Sequence, residues 1–194
     1  MENIEEYLAD VLEVPQEALQ LCGTYYTQKQ FNKGDVLLKQ GEVCNGTFFV
    51  EQGLLRMYSI DQAGKEHIIQ FAPEKWLISD RSSLYFNDKS DYFIDAVEAS
   101  KVLILDNAFF SNLRLSFPGT MVSNDLMLHR HIRSLQSRIN SLLSDTAQTR
   151  YLNFIKMYPN LMQRVPQWMV ASYLGITPES LSRVRKELVK AERG

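Results

Sequence analysis

Residues 165–188 read VPQWMVASYLGITPESLSRVRKEL, and this stretch divides at Gly175 into two short helical halves. Pro166 opens the first half, where a missing backbone N–H costs nothing. Val170, Leu174, Leu181, Val184 and Leu188 recur at spacings that put them on facing sides of the two helices. Ala171 is small where the helices cross, and Gly175 supplies the left-handed residue that a sharp turn requires. Thr177 is placed to cap the second helix, Pro178 to take its first position, and Glu179 to suit the positive end of its dipole. Together these predict a helix-turn-helix. A plain αα-hairpin in a bundle has the same apolar pattern. Against it stands the polar face Thr177, Glu179, Ser180, Ser182, Arg183 and Lys186, where short hydroxyls alternate with long charged groups. Such a face suits the floor of a DNA major groove better than bulk solvent.

Upstream, Ser144 or Asp145 can cap a helix running through Ile155, which Tyr158-Pro159-Asn160 then stops. Before that comes a long helix, about Pro118 to Leu143. Leu128, Ile132, Leu135, Ile139 and Leu142 fall on alternating three- and four-residue steps, continued backwards by Asp125 and Met121. This is a heptad seam with β-branched residues at a and Leu at d, the pattern of two parallel strands. A homodimer is expected, although a helix packed on its own domain can show the same spacing. Asp125, the polar member, either weakens the seam or faces a polar partner on the preceding domain.

The front of the chain has a different period. Met1 to about Leu21 reads as helical, with Ile4, Leu8, Val11 and Leu12 on one face and a second turn opened by Pro15. From Tyr25 onward short β runs follow at Phe31, Val36–Leu38, Thr47–Val50, Leu54–Tyr58, His67–Phe71, Phe93–Val97 and Val102–Leu105. Gly34, Gly41, Gly46, Gly53 and Gly64 separate or bound them, and are expected to take positive φ. Many short strands at close spacing predict an antiparallel roll, sandwich or barrel.

The segment Phe31-Asn32-Lys33-Gly34-Asp35-Val36-Leu37-Leu38-Lys39-Gln40-Gly41-Glu42, followed by Phe49-Val50-Glu51-Gln52-Gly53 and Gly64-Lys65-Glu66, resembles the β-roll of cyclic-nucleotide-binding domains. The tail Thr177-Pro178-Glu179-Ser180-Leu181-Ser182-Arg183 resembles the DNA-binding end of the Crp–Fnr transcription regulators, with their Glu-x-x-Ser-Arg pattern. The order of roll, dimer helix and helix-turn-helix is similar over nearly the whole chain. The resemblance implies that Glu179 accepts from a cytosine N4, that Arg183 donates to guanine O6 and N7, and that Ser182 touches a base or phosphate. Carboxylate and guanidinium are also the favoured major-groove partners of those bases on chemical grounds. Thr177, Ser180, Arg185 and Lys186 are assigned to the phosphate backbone. RNA polymerase is the further partner that the resemblance implies. Pro178 stands where other members carry a second Arg, and a wing hairpin has to come from around Asn160–Val165.

In that family a Gly-Glu pair starts a short helix and an Arg followed by Ser or Thr clamps the cyclic phosphate. Here Ser79 and Asp80 stand in the first two slots, and Ser90 and Asp91 in the other two. A carboxylate where phosphate should sit repels it, so cyclic AMP binding is not expected. Either another small-molecule effector or a ligand-free roll fits this degenerate pocket.

No metal site or cofactor is expected. Cys22 and Cys44 cannot supply the four thiolates of an iron–sulfur cluster, and His67, His129 and His131 do not cluster. Without a nucleophile elbow, a Walker loop or a dinucleotide-binding turn, the chain does not read as an enzyme. No membrane span or signal segment is evident, so a cytoplasmic protein is expected. The formal net charge of −2 divides unevenly: −8 over residues 1–115, +2 over 116–144 and +4 over 145–194. The same boundaries give the expected α+β organisation. An antiparallel β-roll sensor comes first (1–115), then a dimerisation helix (116–144), then a helix-turn-helix domain on double-stranded DNA (145–194). A sensor or interaction module without DNA binding is the alternative.

Overall fold

The computed structural model describes residues 2–12, 14 and 26–191; the turn expected at Pro15, Cys22, and the side chains of Val11 and Leu12 lie outside this description. The chain forms two compact units, Met1–Ile60 with Ile69–Arg130, and Asp61–Ile68 with His131–Gly194.

In the first unit, α1 (Glu2–Leu12) precedes β1 (Tyr26–Phe31), β2 (Val36–Leu38), β3 (Gly46–Gln52) and β4 (Leu55–Ile60). After β5 (Glu66–Ala72) and β6 (Leu77–Ile78) come α2 (Arg81–Phe86), β7 (Phe93–Ala96), β8 (Ser100–Asp106) and α3 (Asn107–Ser116). The described strands make two four-stranded sheets, in the orders β1-β8-β3-β6 and β2-β7-β4-β5. β1 runs antiparallel to β8 from the Tyr26–Leu105 pair to Phe31–Ser100, and β3 lies antiparallel on the other side of β8.

Both faces of the β3–β8 pair are covered, which is why the runs there are apolar without a break. Phe48, Val50 and Val102 point into the roll beside Leu38, Leu55, Ile78 and Ile94. Phe49, Leu103 and Leu105 point the other way, against Ile4 and Leu8 of α1 and Phe109 and Leu113 of α3. The helices thus close a second core on the outside of the sheet. Inside the roll, Arg56 makes a buried two-pronged pair with Asp95, at 2.8 Å for each bond, and its guanidinium lies 4.2 Å from the Tyr58 ring centre. Each charge is therefore partnered, as buried charges must be.

Four of the five roll glycines have positive φ: Gly34, Gly41, Gly53 and Gly64. Gly46 does not. It sits in β3, where an added Cβ would lie 2.8 Å from the Leu105 carbonyl oxygen, so close approach of two backbones is its reason. Helix α3 was not foreseen from the sequence. Its start is set by Asp106, whose Oδ1 accepts from the Phe109 N–H at 2.8 Å.

The long helix α4 (Thr120–Ser144) passes from the first unit into the second. It is followed by α5 (Ala147–Met157), a short 3₁₀ turn (Leu161–Gln163), α6 (Gln167–Leu174) and α7 (Pro178–Ala191). The cap of α5 is Thr146, not Ser144 or Asp145, because its hydroxyl accepts from Thr149 N–H at 3.1 Å. Arg150 reaches back to the carbonyls of Leu142 and Asp145 at 3.2 Å each, so a cation closes the negative end of α4. The segment suggested for a wing holds the 3₁₀ turn instead of strands, with Leu161 and Val165 buried.

Candidate nucleic-acid interface

Helix α7 is built to show one face and hide the other. Leu181 and Val184 are buried, and Val170, Ala171 and Leu174 of α6 are buried opposite them. Gly175 is left-handed, with φ 65°, and its N–H closes α6 on the Ser172 carbonyl at 3.1 Å. The tight turn that the sequence requires is therefore present. Thr177 Oγ1 accepts from the Ser180 N–H at 3.2 Å and so fixes where α7 begins.

Steps of three and four residues put Glu179, Ser182, Arg183 and Lys186 on the face away from this contact. Glu179, Arg183 and Lys186 are exposed, and Ser182 and Arg185 are half-buried. Arg183 and Lys186 make no hydrogen bond or ion pair with any described residue. Their cationic heads are thus uncommitted. Glu179's own backbone N–H, and then the Thr177 hydroxyl, hold its carboxyl below the ordinary glutamate value. At neutral pH it is an acceptor only. One helix face therefore offers two cations, one carboxylate acceptor and the Ser182 hydroxyl, with the hydroxyls of Thr177 and Ser180 at its amino-terminal end. That is the donor and acceptor set that reads base edges and grips phosphates.

The stripe on α4 is unburied in the single chain. Ile132, Leu135, Ile139 and Leu142 are 40–58% exposed, and Leu128 is half-buried. A row of large apolar side chains at heptad spacing, left about half exposed by its own chain, calls for a second helix.

The degenerate pocket takes a definite form. Asp80 is the cap of α2, its carboxylate accepting from the Ser82 and Ser83 N–H groups at 3.1 and 3.2 Å. Ser90 Oγ donates to the other Asp80 oxygen at 2.8 Å, and both residues are buried. The donors that would meet a phosphate are thus spent on an internal carboxylate. Ser79 is half-buried beside this pair, and Asp91 is exposed.

Sequence reasoning missed the contacts that hold Asp61–Ile68 in the second unit. Ser172 of α6 accepts from Ile68 N–H at 3.0 Å and donates to the Glu66 carbonyl at 3.1 Å. Arg138 of α4 donates to the Ile68 and Tyr173 carbonyls at 3.2 and 3.1 Å, and its guanidinium stacks 3.6 Å from the centre of the Tyr173 ring. The one available signal was a serine in a mostly apolar helix.

Residues 28–116 match the cyclic nucleotide-binding domain family. A transcriptional activator protein, anr, of Pseudomonas aeruginosa is 28% identical over 172 residues, covering 80% of this chain and 68% of that protein. An anaerobic regulatory protein of Pasteurella multocida is 25% identical over 189 residues, covering 90% of this chain and 67% of its own length. Among solved structures, FixK2 of Bradyrhizobium japonicum superposes with a TM-score of 0.73 at 16% identity, covering 86% of each chain. A mutant of CooA from Carboxydothermus hydrogenoformans gives 0.69 at 20% identity, covering 95% of this chain and 84% of that one. At these identities the structural likeness is one of fold.

Proposed function

We propose that the chain is a transcription regulator of Crp–Fnr type, acting as a homodimer that reads a palindromic promoter site. The observation that carries this is the face of α7: Glu179, Arg183 and Lys186 stand exposed on one side while Leu181 and Val184 anchor the other. Arg183 and Glu179 address a G·C pair, with Ser182 beside them. Thr177, Ser180, Arg185 and Lys186 hold phosphates and set the register. The stripe Leu128, Ile132, Leu135, Ile139 and Leu142 pairs two copies in parallel. It thereby places two copies of α7 on half-sites roughly 34–36 Å apart.

The functional divisions follow this assignment: a roll at 1–115, a dimer helix at 116–144 and a DNA-binding end at 145–194. No helix among the described residues is long and apolar enough to cross a membrane. The site of action is the cytoplasm, where promoter DNA and RNA polymerase, the partner the family implies, are found. No catalytic role is assigned to any residue.

The roll does not take cyclic AMP, because Asp80 already occupies the amino end of α2 as an internal anion and Ser90 offers no guanidinium. Calorimetric titration should give no heat of binding with cyclic AMP; micromolar affinity would overturn this part. The test of the whole reading is selection of bound duplexes from a random DNA pool. An enriched inverted repeat with G·C pairs in each half-site is expected. Retention of DNA without sequence enrichment would sink it.

A further inference from the structure

The first unit also carries a cavity of about 330 Å³ between α2, α3 and the first turns of α4. It lies outside the roll. Thr47 of β3, which lines it, sits between Gly46 and Phe48 on the strand face shared with Phe49, the face turned toward α1 and α3. Its volume falls within the range of small-molecule sites, about 300–1,000 Å³. We propose that this cavity binds a small zwitterion with an apolar body, of the class of free α-amino acids, held between the guanidinium groups of Arg81 and Arg114 and the carboxylates of Asp106 and Asp125.

Two cations and two anions line the cavity, and they do not pair with one another. Arg81 makes a long contact, 3.4 Å, to the Tyr85 hydroxyl. Asp106 spends one oxygen on the cap of α3. Arg114, Asn124 and Asp125 make no hydrogen bond or ion pair with a described residue. A ligand of one charge would gain from one pair and be repelled by the other. A ligand carrying both charges satisfies all four groups, and each charge-assisted bond is among the stronger kinds. The apolar part of the remaining lining, Leu84, Phe110, Leu113, Met121 and Met127, suits a hydrophobic side chain. The Tyr85 ring, 66% exposed, also lines the cavity, with the Arg81 guanidinium 5.2 Å from its centre.

This also gives Asp125 a reason. It interrupts the apolar spacing of α4 one step before Leu128, where a carboxylate weakens a helix seam. A residue that lines a ligand site is kept for the ligand. The site needs neither the dimer nor the DNA face, so the two readings fail separately.

The experiment is calorimetric titration of the full chain with each free α-amino acid, and with its N-acetyl and carboxamide derivatives. At least one amino acid with a large apolar side chain should saturate a single site per chain with Kd below about 1 mM. Removing either ligand charge should weaken that binding by about tenfold or more. Arg114→Gln and Asp125→Asn, both at exposed positions, should each weaken it by a similar factor while leaving the circular dichroism spectrum unchanged. The proposal is overturned if no amino acid saturates, if blocked derivatives bind as well as free ones, or if the two variants bind like the parent chain.

Discussion

Arg183 and Asp80 show how one side chain can be left unspent and another spent in full. Arg183 is exposed and uncommitted, so removing it takes nothing from the fold. Arg183→Ala should cost about 1–3 kcal/mol on the specific site and leave random DNA nearly unaffected. Competition titrations against both DNAs measure that ratio, and an unchanged ratio would remove Arg183 from base reading. Asp80 is the reverse case, because it holds the first turn of α2 and the Ser90 hydroxyl together. Asp80→Ala should lower stability by about 1 kcal/mol or more through the lost cap. It leaves Ser90 buried without that partner, and thermal unfolding will report the sum. Tyr7 gives a pH signature. Burial pushes its hydroxyl up to about 12, against a smaller opposing effect of Arg81, and the hydroxyl lies 3.2 Å from Met127 Sδ. Its folded value exceeds the unfolded one, so its contribution is complete below about pH 10. It is then lost as the pH rises toward 12. Tyr7→Phe should flatten the fall in melting temperature across that alkaline window, and an unaltered slope would contradict it.

At the level of single elements, α4 and α7 have opposite needs. α7 buries one side against α6 and is finished; its other side is polar. α4 keeps an apolar stripe in water, with Ile139 58% exposed. An exposed Leu or Ile row of this kind is satisfied by a copy of itself, and β-branched residues at a with Leu at d specify two strands. Leu135→Lys should therefore shift the protein from dimer to monomer in sedimentation velocity without unfolding it, since Leu135 is unburied in the single chain. A dimer that survives with unchanged dissociation would place the interface elsewhere. The carboxyl end of α4 is less tolerant, because Arg150 there bonds three backbone carbonyls, those of Ser141, Leu142 and Asp145.

Over the whole molecule, charge is partitioned by task. Acid predominates over residues 1–115 and base over 145–194, so the end proposed to face DNA is attracted to a polyanion while the remainder is not. Binding should weaken steeply with salt as phosphate contacts release counterions. Lys186→Ala should lower affinity for all sequences alike and reduce the salt slope by about one. Fluorescence anisotropy at several salt concentrations provides both quantities. A slope unchanged from the parent would show that Lys186 touches no phosphate.

The local code was legible wherever a residue type has one physical use. Gly175, Thr177 and Pro178 announced a turn, a cap and a helix start, and the short apolar runs bounded by glycines announced the roll strands. Heptad spacing likewise marked α4, because repeat and partner are the same fact. What lay beyond reach depended on distant residues meeting. Gly46 reads as a turn glycine until β8 passes within contact of it. The Asp80–Ser90 bond, the Ser172 and Arg138 contacts to Glu66 and Ile68, and the four charges around the α2–α3–α4 cavity join positions far apart in the chain. Sequence by itself determined most of the elements and the make-up of the exposed α7 face proposed for DNA, since propensity, capping and periodicity act over a few residues. Tertiary structure alone decided which polar groups are spent on each other and which remain for a ligand, because that depends on distance in space.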